Sequence, residues 1–72
     1  MPKYILEIEV VTELIMSRYP SFRKAAAALG ISHSYLSKVL SGKREPGRKF
    51  IDGILADFKG VKFEEIFKEI KD

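Results

Sequence analysis

The sequence predicts an all-α domain of five short helices, and three observations predict it. Apolar residues recur at three- and four-residue intervals along most of its 72 residues, as they do on helices with one buried face. Pro20, Gly30, Gly42, Pro46, Gly47 and Gly60 punctuate the chain into short segments, each a natural stop or start for a helix. In its middle, Phe22 to Ser41 reads as two short helices joined by a tight turn at Gly30. A chain of this length is expected to form one domain over 1–72, near the lower limit at which a single core holds without staples.

The first segment is ambiguous. Tyr4, Leu6, Ile8 and Val10 alternate with Glu7 and Glu9 as in a strand, while Ile8, Val11, Leu14 and Ile15 follow a helical stripe. A helix is expected from about 9 to 18, preceded by either a short strand or an extra helical turn. An isolated strand needs a partner, and its twin in a second subunit is the candidate. Residues 1–8 are thus an extra or dimerisation segment.

Residues 22–29 are good helix formers with no β-branched member. Ser21 stands where its oxygen can cap their amides, and Gly30 can take the left-handed conformation that ends a helix. Ile31 becomes the apolar plug of the turn, and Ser32 caps a second helix over about 33–41. At 100° per residue, Tyr35, Leu36, Val39 and Leu40 share one arc, and His33, Ser34, Ser37, Lys38 and Ser41 the other. On the first helix Phe22, Ala25, Ala26 and Leu29 share a face, with Ala26 where two steeply crossing helices come closest. The pair reads as a helix-turn-helix.

Gly42 ends the second helix, and Pro46-Gly47 closes the basic loop that follows. Phe50, Ile51, Ile54, Leu55 and Phe58 outline a fourth helix over about 47–58, in which Gly53 marks a close helix contact. Phe63, Ile66, Phe67 and Ile70 outline a fifth over about 63–71, with Glu64 and Glu65 near its start and Lys68 and Lys71 near its end to suit the helix dipole. Phe50, Phe58, Phe63 and Phe67 are expected in the core.

Charge is distributed unevenly. The net charge is +3, yet residues 21–50 alone carry +6, against −1 before them and −2 after. The polar arc of the second helix holds hydroxyls, an imidazole and an ammonium but no carboxylate, as a helix lying between two phosphate chains requires. A solvated surface could carry such a block, but its overlap with the two-helix motif favours a polyanion. With no cysteine there is neither a disulfide framework nor a thiolate zinc site, and a reducing cytoplasm is the expected compartment. No apolar run approaches the roughly 20 residues needed to span a bilayer, and no targeting segment is recognisable. His33 is the single histidine, so neither a nucleophile-base-orienter set nor a metal site can be assembled around it. No catalysis, metal, cofactor or small-molecule substrate is expected.

The spacing of Ala26, Gly30, Leu36 and Val39 resembles the helix-turn-helix of the Cro and phage-repressor family, also called the XRE family. The likeness extends to Ser41-Gly42-Lys43-Arg44-Glu45-Pro46, similar to the family's Asn-Gly-Lys-basic-x-Pro loop. It extends further to Gly60-Val61-Lys62-Phe63-Glu64-Glu65-Ile66-Phe67, similar to its Gly-Val-Ser-Leu-Asp-Glu-Leu-Phe ending, so that residues 9–67 are covered. The resemblance implies a repressor-like domain that binds an operator in double-stranded DNA as a homodimer, beside the nucleoid if the cell is bacterial or archaeal.

It also implies roles for single residues. His33, Ser34, Ser37 and Lys38 match positions facing base edges, and Ser41, Lys43 and Arg44 match positions near the sugar-phosphate backbone. Arg23 and Arg48 join the backbone set, Arg23 with a plain surface role as an equal alternative. Ala26, Gly30, Ile31, Leu36 and Val39 hold the motif together. Phe22 stands where the family commonly has a glutamine that touches a phosphate, and Tyr35 is bulkier than the usual Ser or Thr. An antitoxin-like autoregulator satisfies the same pattern, and a protein-interaction module on a helical scaffold is the rival from another class.

Overall fold

The computed structural model describes residues 3–70 and contains β1 (Lys3–Leu6), α1 (Ile8–Arg18), α2 (Phe22–Leu29), α3 (His33–Leu40), α4 (Arg48–Asp57), α5 (Phe63–Ile66) and β2 (Phe67–Ile70). The five helices occur where the apolar periodicity puts them, four of them within a residue or so of the expected bounds. Their apolar faces meet in one core: Val11 and Ile15 of α1, Ala25, Ala26 and Leu29 of α2, Leu36 and Val39 of α3, Phe50 and Ile54 of α4, and Ile66 of α5. Phe22, Ile31, Tyr35, Leu40, Phe58 and Phe63 are half-buried against it. Removing a side chain such as Phe50 from water contributes about 1.5–3 kcal/mol.

The fifth helix departs from expectation. It is a single turn, and from Phe67 the chain runs extended to Ile70 instead of continuing as a helix to residue 71; Lys71 itself lies outside the described residues. Glu64 and Glu65 do occupy the first turn of α5, and the Glu65 carboxylate accepts the Lys62 N–H at 3.2 Å. Lys68, however, sits in a strand and complements no helix end. Phe67–Ile70 fits a strand as well as a helix, since Phe67 points inward and Lys68 and Ile70 are exposed. What decides between them is β1, whose backbone would otherwise lack a partner.

The two strands pair antiparallel, Lys3 opposite Ile70, Tyr4 opposite Glu69, Ile5 opposite Lys68 and Leu6 opposite Phe67. The partner of β1 is therefore in the same chain, and not the second-subunit twin offered as the candidate for an isolated strand. Residues 1 and 2 of the expected 1–8 segment lie outside the described residues. Two strands alone are marginal in water. These are held down by burial of Leu6 and Phe67, by Phe67 stacked on Phe63 at 4.5 Å, and by Tyr4 set edge-on to Phe63 at 5.5 Å.

α1 is tied to α4 at their C-terminal ends. The Arg18 guanidinium donates to the backbone and side-chain oxygens of Asp57 and lies 5.2 Å over the Phe58 ring, while the Tyr19 hydroxyl donates to the same carboxylate. That hydrogen bond favours the protonated phenol and raises the Tyr19 pKa above its ordinary 10.0. α4 packs closely on α2 at Gly53, where a Cβ would stand 3.4 Å from the Leu29 side chain. None of the described helices is long and apolar enough to cross a membrane.

Candidate nucleic-acid interface

α2 and α3 begin and end by the same local chemistry. The Ser21 hydroxyl accepts from the Lys24 N–H at 3.2 Å and the Ser32 hydroxyl from the Tyr35 N–H at 3.0 Å, satisfying amides that the first turn leaves free. At the other end Gly30 and Gly42 take φ of 74° and 79°. Ile31 N–H then reaches back to Ala26 C=O and Gly30 N–H to Ala27 C=O, just as Lys43 N–H reaches Lys38 C=O and Gly42 N–H reaches Val39 C=O. This is the Schellman pairing, which needs a left-handed residue at its centre. The turn and the start of the basic loop are thus fixed by backbone bonds.

Ala26, Leu36 and Val39 are buried where the two helices meet, and Ile31 fills the turn. That packing turns His33, Ser34, Ser37 and Lys38 outward, and all four are exposed along one side of α3. Among the described residues no side-chain hydrogen bond engages Ser34 or Ser37, so their hydroxyls are free to donate or accept. Ser41 differs: its hydroxyl donates to the Lys38 carbonyl at 3.1 Å, leaving its lone pairs open but its proton in use.

The basic loop is held against α3 by Tyr35. Its hydroxyl accepts the Gly47 N–H at 2.6 Å, and the Arg44 guanidinium lies 5.1 Å over its ring. Periodicity identifies Tyr35 only as a half-buried aromatic. Its function in setting the loop was missed, and the one signal available was its unusual bulk. Tyr35→Phe should keep the ring under Arg44 and remove the acceptor for Gly47. Because Gly47 is exposed and water can replace the bond, a modest loss of about 0.5–1.5 kcal/mol is expected in urea unfolding.

Lys43 and Arg44 are exposed beside the C-terminal end of α3, and Arg23 is exposed in the first turn of α2. Arg48, at the start of α4, pairs with Asp52 at 3.7 Å, but both side chains are largely in water. Such an ion pair is worth little and leaves the guanidinium available. Phe22 is half-buried against the core and offers no polar group at the start of α2. The result is a helix face with donors and acceptors along it and fixed cations at its end, as reading a groove between two phosphate chains demands. No group of His, Cys, Asp and Glu among the described residues could hold a metal ion.

A family model described as helix-turn-helix matches residues 12–66. No curated protein and no solved structure matches the chain.

Proposed function

From the premise that this chain belongs to the helix-turn-helix family of Cro and XRE type, whose members are DNA-binding domains, we propose that it is a sequence-specific regulator of transcription. It represses by occupying an operator, with α3 in the major groove. The observation that carries this reading is the outward face of α3, where His33, Ser34, Ser37 and Lys38 stand exposed beside a loop whose backbone is locked. His33, Ser34 and Ser37 offer donors and acceptors to base edges. Lys38, with its long stem, reaches a guanine edge or a backbone oxygen. Lys43, Arg44, Arg23 and Arg48 supply the positive charge for phosphates, and Ser41 stands near the sugar-phosphate backbone with its proton held by the Lys38 carbonyl. A chain acting in this way works where the DNA is, in the cytoplasm.

One recognition helix covers only a few base pairs, so useful affinity calls for two copies about 34 Å apart on one face of the duplex. The contact between copies lies outside residues 22–48, in residues 1–10 or in the segment over 63–71, which leaves the outward face of α3 free for DNA. Free monomer in solution is compatible with this, since dimers can form on the operator. Strict one-to-one occupancy of an operator in sedimentation would overturn it.

Titration with random duplex DNA at two salt concentrations tests the reading. Binding at low salt that weakens steeply at high salt is expected, and no binding at low salt would overturn it in favour of a protein-interaction module. Lys43→Ala and Arg44→Ala should weaken binding to every duplex alike and preserve sequence preference. Each should lower the slope of log affinity against log salt by about one unit per altered subunit, as read from isotherms across a salt series.

A further inference from the structure

β1 has a second edge, and the hydrogen bonding of the sheet shows what that edge offers. Glu7 N–H donates to Ile66 C=O at 2.7 Å, which continues the register of β1 on β2 by one residue. Antiparallel partners alternate between hydrogen-bonded and non-bonded pairs, so Ile5 and Lys3 also direct their polar backbone groups at β2. The N–H and C=O groups of Tyr4 and Leu6 therefore point the other way. An open groove of about 410 Å³ lies between β1 and the basic loop, lined by Tyr4, Ile5 and Leu6 together with Gly42, Arg44 and Pro46. The side chains divide by the same alternation: Tyr4, set against Phe63, and buried Leu6 share one face, while Lys3, Ile5 and half-buried Glu7 share the other, Tyr4 and Ile5 each being 49% exposed.

We propose that β1 pairs with β1 of a second copy of this chain, antiparallel about a two-fold axis through Ile5, making a four-stranded sheet across the dimer. This deepens the homodimer reading above and rests on it. Three axes would satisfy the free backbone groups, one through each of Tyr4, Ile5 and Leu6. An axis through Tyr4 sets Lys3 against the partner's Ile5, and an axis through Leu6 sets Ile5 against the partner's Glu7. Only the axis through Ile5 matches every side chain. Lys3 then stands opposite the partner's Glu7 twice over, Ile5 meets the partner's Ile5 as a non-bonded pair with side chains closest, and Tyr4 stands beside the partner's Leu6. Opposite charges and apolar pairs in these positions are favourable, and like charges are not.

The free edge of β2 fails the same test. An axis through Lys68 would oppose two lysines, and one through Glu69 two glutamates; an axis through Phe67 runs the ladder into α5. β1 is also separate from the exposed face of α3, so its pairing leaves the recognition helix uncovered, although the partner's strand would border Gly42, Arg44 and Pro46 of the basic loop.

The chain has no cysteine, which permits a direct test without DNA. Under mild oxidation at micromolar concentration, Ile5→Cys should form a covalent dimer across the axis, while Lys68→Cys should stay monomeric. In sedimentation equilibrium Lys3→Glu should weaken self-association by about tenfold, through two like-charge pairs. The double variant Lys3→Glu with Glu7→Lys should restore it, and thermal melting of each variant establishes that the substitutions leave the fold intact. A double variant no better than Lys3→Glu, or cross-linking of Lys68→Cys as fast as Ile5→Cys, would overturn the interface. Failure here with retained duplex binding removes this interface and leaves the regulator reading intact; success here with no duplex binding does the reverse.

Discussion

Joint replacement of His33, Ser34 and Ser37 by alanine is expected to lower affinity for the preferred duplex by about a hundredfold or more and leave random-duplex binding nearly unchanged. Each lost match to a base edge costs about 1–3 kcal/mol at its own base pair and little elsewhere. The three side chains are exposed on α3, so their removal leaves the core untouched. The preferred duplex would come from selection among random sequences, and affinities for it and for random DNA would be compared across a salt series. A uniform loss on both would mean that α3 is not the reader. Lys38→Ala in the same series assigns its ammonium to a base, if preference falls, or to a phosphate, if the salt slope falls.

The second large effect is on stability. Ala26 is 1% exposed on the face of α2 that packs in the core beside α3. Ala26→Leu should force the helices apart and cost about 1–3 kcal/mol. Gly30→Val should cost a comparable amount, because a φ of 74° is strained for a β-branched residue and the two backbone bonds that close the turn depend on it. For a domain of this size each kcal/mol lowers Tm by about 4–8 °C. Melting curves followed by circular dichroism should show both losses, and wild-type melting in either variant would mean that the motif register is wrong.

What was legible in the sequence was local. Ser21 and Ser32 cap amides three residues away, and Gly30 and Gly42 end helices through bonds spanning one turn, so each signal sits beside the structure it causes. The outward face of α3 followed from the arc that buries Leu36 and Val39. The failures all involve partners distant in the chain. Phe63, Ile66, Phe67 and Ile70 fit a helix by spacing, and nothing nearby reveals that Phe67–Ile70 will pair with Lys3–Leu6 at the opposite end. The ambiguity of residues 4–10 has the same origin, because a strand is chosen only once its partner exists. Tyr35 belonged to the core arc by periodicity, yet its hydroxyl is engaged by Gly47 and its ring by Arg44, contacts that arise only when the loop folds back.

The β1–β2 pairing has a consequence for how the chain is made. A ribosome makes Lys3–Leu6 before Phe67–Ile70, so β1 waits with both edges unpaired while the roughly sixty residues between them are made. The caps and turns of α2 and α3 need only near neighbours and can form meanwhile, as local contacts do before distant ones. On one polysome, neighbouring nascent chains would present these open edges to each other before β2 emerges. Assembly between copies thus has an opportunity during translation itself, and so does mispairing.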